Sequence, residues 1–280
     1  MPEGGLLGIY AHPDDETFGI GGTMARYAAQ GTPVTMVCAT RGEVGEIAPG
    51  TGATPETLGQ YREQELRDAC AILGVSDVRF LEFRDSGMAG TPENDDPRSL
   101  YRADPEHVVA ALVRVIRDVR PAVISTWDAS GGYGHPDHIA VHLHATTAYH
   151  AAADPARYPE LGRPHRADSL FYNVIPIDEF RSLAQELEKR GISMGEAPGG
   201  DENLATLPRL TPNCVVDVSG FYDLKRRALR AHGTQISDGD VFVNLPEDLG
   251  RRFFGREYFF RADPTLADGV VLSDLLAGAG

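Results

Sequence analysis

Short runs of apolar residues recur along the first two thirds of the chain and again near residue 215. Each run spans five or six positions, contains β-branched or aromatic residues and has Gly or Pro nearby. Apolarity that is continuous rather than alternating is typical of strands buried on both faces of a sheet. The pattern predicts strands at residues 6–10, 34–39, 78–83, 122–127, 170–175 and 214–218.

Stretches with helical spacing of apolar residues lie between and after these runs. They cover residues 21–30, 55–73, 105–119, 137–153, 178–190 and 220–232. Strands that alternate with helices predict right-handed β-α-β units. We therefore expect an α/β fold with a Rossmann-like, mostly parallel sheet and helices on both faces. The whole chain, 1–280, is expected to be one domain, with a core at 6–176 and a smaller C-terminal α+β extension at 177–280.

Three long segments rich in Gly, Pro, Asp and Glu interrupt the pattern, at residues 41–55, 84–104 and 191–212. Loops of that length are usually functional or mobile. The first two follow predicted strands, and open α/β sheets bind their ligands at that edge. A ligand-binding site is therefore expected at this edge of the sheet.

The composition excludes several classes of partner. A formal net charge of −15 over 280 residues argues against nucleic acid, whose phosphates need clustered cations. No apolar run reaches the roughly 18–20 residues of a membrane span. No export signal is expected, and Cys38, Cys70 and Cys214 lie too far apart for a CxxC pair. We expect a cytoplasmic protein with reduced thiols, and the sequence leaves its oligomeric state open.

Two His-Pro-Asp motifs stand out, each directly after a predicted strand. Residues 11–16 read AHPDDE and follow the first strand, and residues 131–138 read GGYGHPDH and follow the fourth. In both motifs the proline suits the first turn of a helix. Parallel strands place their carboxyl ends at one edge of the sheet. Residues more than 100 positions apart are therefore predicted to converge.

The converging residues have the chemistry of a catalytic metal site. His12, Asp15 and His138 supply two imidazoles and one carboxylate, the ligand set of an open zinc site. A divalent ion lowers the pKa of a bound water from about 15.7 toward roughly 7. Asp14 is then a spare carboxylate suited to act as general base. The set predicts metal-assisted hydrolysis of an amide or an ester.

His135 lies one helical turn before His138 and is predicted to face the same cavity. Its imidazole is suited to stabilise the oxyanion of a tetrahedral intermediate, with Asp137 holding it protonated or oriented. Either motif alone is also explained as a helix start, because Asp caps helices and Pro occupies their first turn. Two such motifs, each after a strand, favour a site.

Two other classes remain open at this point. Two histidines and one carboxylate also form the facial triad of non-haem iron oxygenases, and Fe²⁺ is an alternative occupant of a hydrolytic site. A catalytically idle metal-binding or sugar-binding module would carry the same ligands. The adjacent Asp14 and the parallel-sheet pattern favour a hydrolase.

The motifs resemble those of the PIG-L (LmbE-like) family of zinc-dependent N-acetylglucosaminyl deacetylases. The resemblance is carried by AHPDDE at 11–16, GIGGTMARY at 19–27 and GHPDHIAVH at 134–142. It implies one zinc ion per chain on His12, Asp15 and His138, and Asp14 as base. It also implies that His135, supported by Asp137, acts as oxyanion stabiliser or acid. The implied reaction removes acetyl from an N-acetylglucosamine unit of a small conjugate.

Within that family, RDSGMAG at 84–90 and GGYG at 131–134 resemble the branch that contains the mycothiol-pathway deacetylase and the mycothiol S-conjugate amidase. The resemblance implies that Arg62 and Asp85 contact sugar hydroxyls and that Tyr133 reaches the reacting centre. Gly19 stands where the amidase has a lysine, which weakens the amidase alternative. Each of the three also has a structural explanation. Arg62 could be an exposed helix residue, Asp85 could form a turn, and Tyr133 could pack within a loop.

Overall fold

The computed structural model describes residues 4–194 and 207–277 of the chain. Residues 195–206, within the predicted long segment 191–212, lie outside the described residues. Each predicted strand is present, with ends that differ by up to three residues, and one further strand is found. The strands are β1 (Leu6–Tyr10), β2 (Val34–Cys38), β3 (Asp77–Phe80), β4 (Val123–Trp127), β5 (Ser169–Asn173), β6 (Cys214–Asp217) and β7 (Arg256–Asp263).

Six helices of the described residues fall close to the predicted stretches, and three short helices were not predicted. The helices are α1 (Asp15–Gly19), α2 (Gly21–Ala29), α3 (Leu58–Ile72), α4 (Pro105–Val119), α5 (Gly131–Gly134), α6 (Pro136–Ala153), α7 (Ile177–Lys189), α8 (Tyr222–Ala231) and α9 (Glu247–Phe254). Local sequence explains where they begin. For example, the Asp104 side chain accepts the Glu106 N–H at 3.0 Å, and Pro105 occupies the first position of α4.

All seven strands form one sheet in the order β3-β2-β1-β4-β5-β7-β6. The strands from β3 to β5 in this order pair in parallel, whereas β7 is antiparallel to both β5 and β6. Chain order reverses between β1 and β4, which creates a switch point where open α/β sheets bind ligands. The predicted Rossmann-like, mostly parallel sheet is confirmed.

Hydrophobic cores lie on both faces of the sheet because successive strand residues point to opposite sides. Leu6 and Tyr10 of β1 join a core with residues of α2, α3 and α8. Leu7 and Ile9 of the same strand join a second core with residues of α4 and α6. β1 is thus buried on both faces, as its continuous apolarity predicts.

The segment after residue 176 adds β6 and β7 to the same sheet. The apolar pattern misses β7 because its buried face carries Glu257 and Arg261 beside Phe259. Each charge has a partner inside the fold. Glu257 pairs with Lys225 at 2.6 Å, and Arg261 donates to the Ser169 hydroxyl at 2.8 Å. A pattern based on apolar residues does not detect this strand, because two of its buried positions carry charged side chains that have partners within the protein.

The lengths and polarities of the helices show whether any of them could cross a membrane. Among the helices of residues 4–194 and 207–277, none combines the length and apolarity of a membrane-spanning segment.

Candidate metal centre

The two His-Pro-Asp motifs lie on either side of the switch point. β1 and β4 are parallel neighbours, so the loops that follow them leave the sheet side by side. His12 of the first loop and His138 of α6 approach to 3.1 Å between ring nitrogens, although 126 positions separate them in the chain. The topology therefore produces the convergence that the sequence predicts.

The two motifs differ in their local backbone. Pro136 occupies the first position of α6 as predicted, and the His135 side chain caps that helix by accepting the Asp137 N–H at 3.1 Å. Pro13 instead precedes Asp14, the residue before α1, so the first-turn prediction is wrong for the first motif. The reason is a sharp reversal at Asp14, whose φ is 116°.

Three predicted ligands present their atoms to one point. His138 Nε2 lies 3.1 Å from His12 Nδ1 and 3.2 Å from Asp15 Oδ1, and His12 Nδ1 is 3.9 Å from Asp15 Oδ2. Ligand atoms on one tetrahedral zinc ion are about 3.3 Å apart, because each lies about 2.0–2.1 Å from the ion. All three side chains are buried. The separations of His138 Nε2 from the other two residues are close to this value, whereas the 3.9 Å between His12 and Asp15 is wider.

The remaining ring nitrogens support the same assignment. His138 Nδ1 faces the Gly131 carbonyl at 3.1 Å, and His12 Nε2 faces Asp137 Oδ2 at 3.2 Å. Both partners accept hydrogen bonds, so each ring, when neutral as a metal ligand must be, would carry its proton on the nitrogen away from the shared point. Two nitrogen lone pairs then face each other. A cation between them satisfies both, and ligand histidines in metal sites are oriented in this way.

The two carboxylate oxygens of Asp15 have different partners: Oδ2 accepts hydrogen bonds from the protein, and Oδ1 faces the proposed ligand His138. Oδ2 accepts the backbone N–H groups of Ala11 and His12, each at 3.0 Å, and the indole N–H of Trp127 at 3.2 Å. Oδ1 is directed at His138. Burial alone would raise the pKa of Asp15, but the neighbouring His138 and His12 outweigh it and lower that pKa. The carboxylate is therefore held ionised, as a ligand must be.

Trp127 is a site residue that the sequence reasoning missed. It ends β4, and its ring stacks on His138 with centroids 4.8 Å apart and planes 8° from parallel. It also donates to Asp15, so one side chain orients two ligands. Its position in the sequence could have indicated this role, because the chain's one tryptophan ends the predicted strand directly before the second motif.

His135 lies beside the ligands as predicted, with its ring 4.5 Å from that of His12 and 5.1 Å from that of His138. Its Nδ1 accepts the Asp137 N–H, so the neutral ring carries its proton on Nε2. Burial, reinforced by His12 and His138, lowers the pKa of His135 to about 2. His135 is thus a neutral hydrogen-bond donor, and of the two expected roles of Asp137, to hold it protonated or to orient it, the contact supports orientation.

The carboxylates of Asp137 and Asp85 lie behind His12. Asp137 accepts from His12 Nε2 and from the Ser86 N–H at 2.9 Å, and also from the Ser86 hydroxyl. Its support of His135 comes from the backbone N–H instead. Asp85 Oδ1 is 3.5 Å from His12 Nε2 and accepts the Gly87 N–H. Burial would lower the pKa of His12, but Asp85 and Asp137 raise it.

One group of possible ligands among the described residues is His12 with His135 and His138. A second group is His12 with Asp85 and Asp137. An ion there would have to replace the proton on His12 Nε2. The Asp137 oxygens are already occupied by Ser86 donors. The His12–Asp15–His138 set keeps its lone pairs available, so it fits an ion better. Asp85 is buried beside His12, and its contact with a sugar hydroxyl stays a prediction.

Asp14 is strained and partly exposed. A φ of 116° is rare for any residue except glycine and is concentrated at functional sites. Its side chain makes no capping hydrogen bond to α1 within the part of the chain described here. Burial raises the pKa of Asp14, although Arg62 opposes the shift. A carboxylate that is not used as a cap is available for proton transfer.

Arg62 lies beneath this loop. It is 4% exposed, and its guanidinium donates to the carbonyls of Gly42 and Pro13 at 2.9 and 2.6 Å and to Asp14 Oδ2 at 3.1 Å. All these partners belong to the protein, so the geometry supports a role in positioning Asp14. The expected contact of Arg62 with sugar hydroxyls stays a prediction.

Tyr133 packs against the centre as expected. Its ring is half-buried and lies edge-on to His138 with centroids 4.9 Å apart. His142, one turn after His138, instead directs Nδ1 at the Trp127 carbonyl at 2.9 Å. Sequence spacing alone would allow His142 as a ligand, but the structure places it outside the set.

Comparison with known proteins decides the family. The model of the PIG-L family, described as GlcNAc-PI de-N-acetylase, matches residues 7–149, a span that contains every ligand candidate above. A 1D-myo-inositol 2-acetamido-2-deoxy-alpha-D-glucopyranoside deacetylase of Geodermatophilus obscurus is 41% identical over 293 residues, covering 99% of this chain and 98% of that one. This chain belongs to the PIG-L family. The resemblance noted from the motifs is confirmed over the full length.

Solved structures agree with the PIG-L assignment at the level of fold. An N,N'-diacetylchitobiose deacetylase from Pyrococcus horikoshii has a TM-score of 0.63 at 20% identity, covering 91% of this chain and 82% of that one. A 4-carboxy-2-hydroxymuconate hydratase from Pseudomonas putida also reaches 0.63, at 18% identity, covering 96% and 100%. Because this fold carries different chemistries, the PIG-L function has to be argued from the site.

Proposed function

We propose that this protein is a zinc-dependent deacetylase that hydrolyses the acetamide of an N-acetylglucosamine unit on a small conjugate. The observation that carries the proposal is the convergence of His12 Nδ1, Asp15 Oδ1 and His138 Nε2 beside a carboxylate and an imidazole that are not needed as ligands. The names of the relatives that match over the full chain support the same reaction. Their inositol glycoside is the conjugate that we propose as substrate.

A divalent ion bound by His12, Asp15 and His138 would supply Lewis-acid activation of water and of the acetyl carbonyl. Asp14 accepts the proton of the attacking water as general base. Its raised pKa favours this, because a base is most effective when its pKa approaches the working pH. Arg62 holds the Asp14 carboxylate at 3.1 Å and so fixes its direction during the transfer.

His135 stabilises the negative charge that develops on the acetyl oxygen. Its Nδ1 accepts the Asp137 N–H, so Nε2 carries the N–H that donates a hydrogen bond to the oxyanion. A neutral donor of this kind does not release its proton at neutral pH. We infer that Asp14, once protonated, returns the proton to the departing amine.

Zinc is the proposed ion because two imidazoles and one carboxylate with an open position match catalytic zinc sites. Iron is the alternative, since the same ligands hold Fe²⁺ in oxygenases. Asp14 favours hydrolysis, because an oxygenase has no need of a base beside the metal. Equal turnover in air and under anaerobic conditions is the expected result.

A substrate panel tests the proposed function. Purified protein is assayed for release of free amine from N-acetylglucosamine, diacetylchitobiose, the inositol glycoside of N-acetylglucosamine and a mycothiol-type thiol conjugate. We expect fastest turnover of the inositol glycoside, complete loss after treatment with a chelator, and recovery with Zn²⁺. Preferential cleavage of the thiol conjugate would favour the amidase alternative. Absence of amine release from every compound by the zinc-loaded protein would contradict the proposal.

A further inference from the structure

A histidine far outside the family match lies directly behind the first motif. His232 follows the last residue of α8, whereas the family match ends at residue 149. Its Nε2 is 2.8 Å from Glu16 Oε1, and both side chains are fully buried. Residues 232–235 follow the predicted helix 220–232, and that position by itself indicates a helix cap. His232 is indeed the C-cap residue of α8, and its side chain has a further partner in α1, two residues after Asp14.

The Glu16 carboxylate links His232 to the backbone of Asp14, because each of its oxygens contacts one of the two residues. Its second oxygen, Oε2, accepts the Asp14 N–H at 2.9 Å. Oε1 also accepts the Thr17 hydroxyl, so every contact of this carboxylate named here lies within the protein. Although Glu16 follows the ligand Asp15 directly, its side chain is fully buried and serves the loop rather than the ion.

Asp14 needs such support. A residue with a side chain adopts a φ of 116° only where surrounding contacts hold it there. Glu16 holds the backbone N–H of Asp14, and Arg62 holds its carboxylate from the other side. Without the Glu16 contact the peptide would be free to rotate toward the ordinary negative φ region, which would redirect the carboxylate.

We propose that Glu16 and His232 are a positioning pair that keeps Asp14 in its strained backbone conformation and aims its carboxylate at the reacting centre. This inference rests on the proposed function, since Asp14 is the base in that function. Glu16 and His232 act through Asp14 and do not touch the substrate. His232 thus contributes to the site from the C-terminal part of the chain.

The turn after His232 is itself held in place. The Thr234 carbonyl accepts the Ala48 N–H at 2.8 Å, and the Gln235 amide donates to the Glu46 carbonyl at 2.9 Å. The Thr234 N–H and hydroxyl donate to Glu65 of α3. His232 is therefore anchored to the loop at 41–55 and to α3, and it presents a fixed donor to Glu16.

Three variants and one control test the pair. Glu16→Ala removes the acceptor of the Asp14 N–H, and His232→Leu removes the donor that fixes Glu16. Glu16→Gln is the conservative variant, because its amide oxygen accepts the Asp14 N–H and its amide nitrogen donates to His232 Nε2 once the neutral imidazole carries its proton on Nδ1. His144→Leu is the matched control, a buried histidine of α6 on the other face of the sheet. Each variant is measured for kcat, KM and bound metal, and is crystallised.

For Glu16→Ala and His232→Leu we expect kcat to fall by about 10- to 100-fold, the usual cost of a slightly displaced catalytic group. KM should stay within about 3-fold and the metal should remain bound, because neither substrate contacts nor ligands are removed. Glu16→Gln should keep kcat within about 5-fold, as expected when the reacting geometry is retained. In the crystal structure of Glu16→Ala, Asp14 should leave its positive φ.

The proposal is overturned if both Glu16→Ala and His232→Leu match the kcat of the His144→Leu control. It is also overturned if Asp14 keeps its positive φ and its contact with Arg62 in both variants. If Glu16→Ala does not fold, the other two variants test the pair. A lowered kcat in His232→Leu with a nearly normal kcat in Glu16→Gln supports the proposal, and a kcat of His232→Leu equal to that of the control overturns it. If the wild type releases no amine from any conjugate, the proposed function fails, and the conformation of Asp14 in the crystal structures then decides the positioning role alone.

Discussion

Asp14→Asn is expected to keep the metal bound and to lower kcat by about 10² to 10⁴, the usual worth of a positioned general base. Asparagine preserves the size of the side chain, and its amide oxygen still accepts from Arg62, which lies 3.1 Å from Asp14 Oδ2. It also tolerates a positive φ better than most residues. The loss of activity therefore reports on proton transfer rather than on folding. Steady-state kinetics with metal quantification on the same preparation measures it.

Asp178→Asn is a suitable control for this experiment, because Asp178 is almost fully exposed on α7, far along the chain from the motifs. It should match the wild type in kcat and in metal content. Turnover by metal-loaded Asp14→Asn within a few-fold of the wild type would remove Asp14 from the role of base. The metal assignment would stand even then, because it rests on other side chains.

His138→Ala is expected to lose the bound metal and to lower kcat/KM by at least about 10³-fold, since a catalytic ion supplies several kcal/mol of charge stabilisation. His138 Nε2 contacts both other ligand candidates, so its removal opens the centre of the set. Metal content by elemental analysis, together with amine release, gives the two readouts.

The matched control is His142→Asn. His142 lies on the same helix one turn later, and its Nδ1 is directed at the Trp127 carbonyl rather than at the ligands. This variant should retain the ion and most of the activity. Equal metal loss in both variants would mean that the ligand set has been assigned to the wrong histidines of α6.

Much of the fold followed from continuous apolar runs, because strands buried on both faces carry that pattern whatever their neighbours. β1 and β4 were predicted in this way, and their parallel pairing is what brings His12 to His138. β7 was missed because Glu257 and Arg261 are buried by pairing, which an apolarity pattern does not register.

The candidate ligands were predicted from the sequence because both motifs follow strands directly, so strand ends alone determine where they meet. Residues that reach the centre from distant elements had no such signal. Arg62 looked like an ordinary helix residue or a sugar contact, yet it is buried under Asp14. His232 looked like a helix cap, and its contact with Glu16 depends on the packing of α8, which local spacing does not reveal.

Partner assignments for Asp137 were harder still, because they depend on side-chain direction. Proximity in the motif suggested that its carboxylate supports His135. In the fold, helix geometry turns that carboxylate toward His12 and Ser86 and leaves only the backbone N–H for His135. The sequence thus predicted which residues meet, and the structure was needed to pair them.

The most direct test of the metal centre is anomalous diffraction at the zinc edge from crystals of the zinc-loaded protein. We expect one strong peak about 2.0–2.2 Å from His12 Nδ1, Asp15 Oδ1 and His138 Nε2, the usual lengths of zinc–nitrogen and zinc–oxygen bonds. A peak held instead by His12 Nε2 with Asp85 and Asp137, or no peak at the switch point in zinc-saturated crystals, would contradict it.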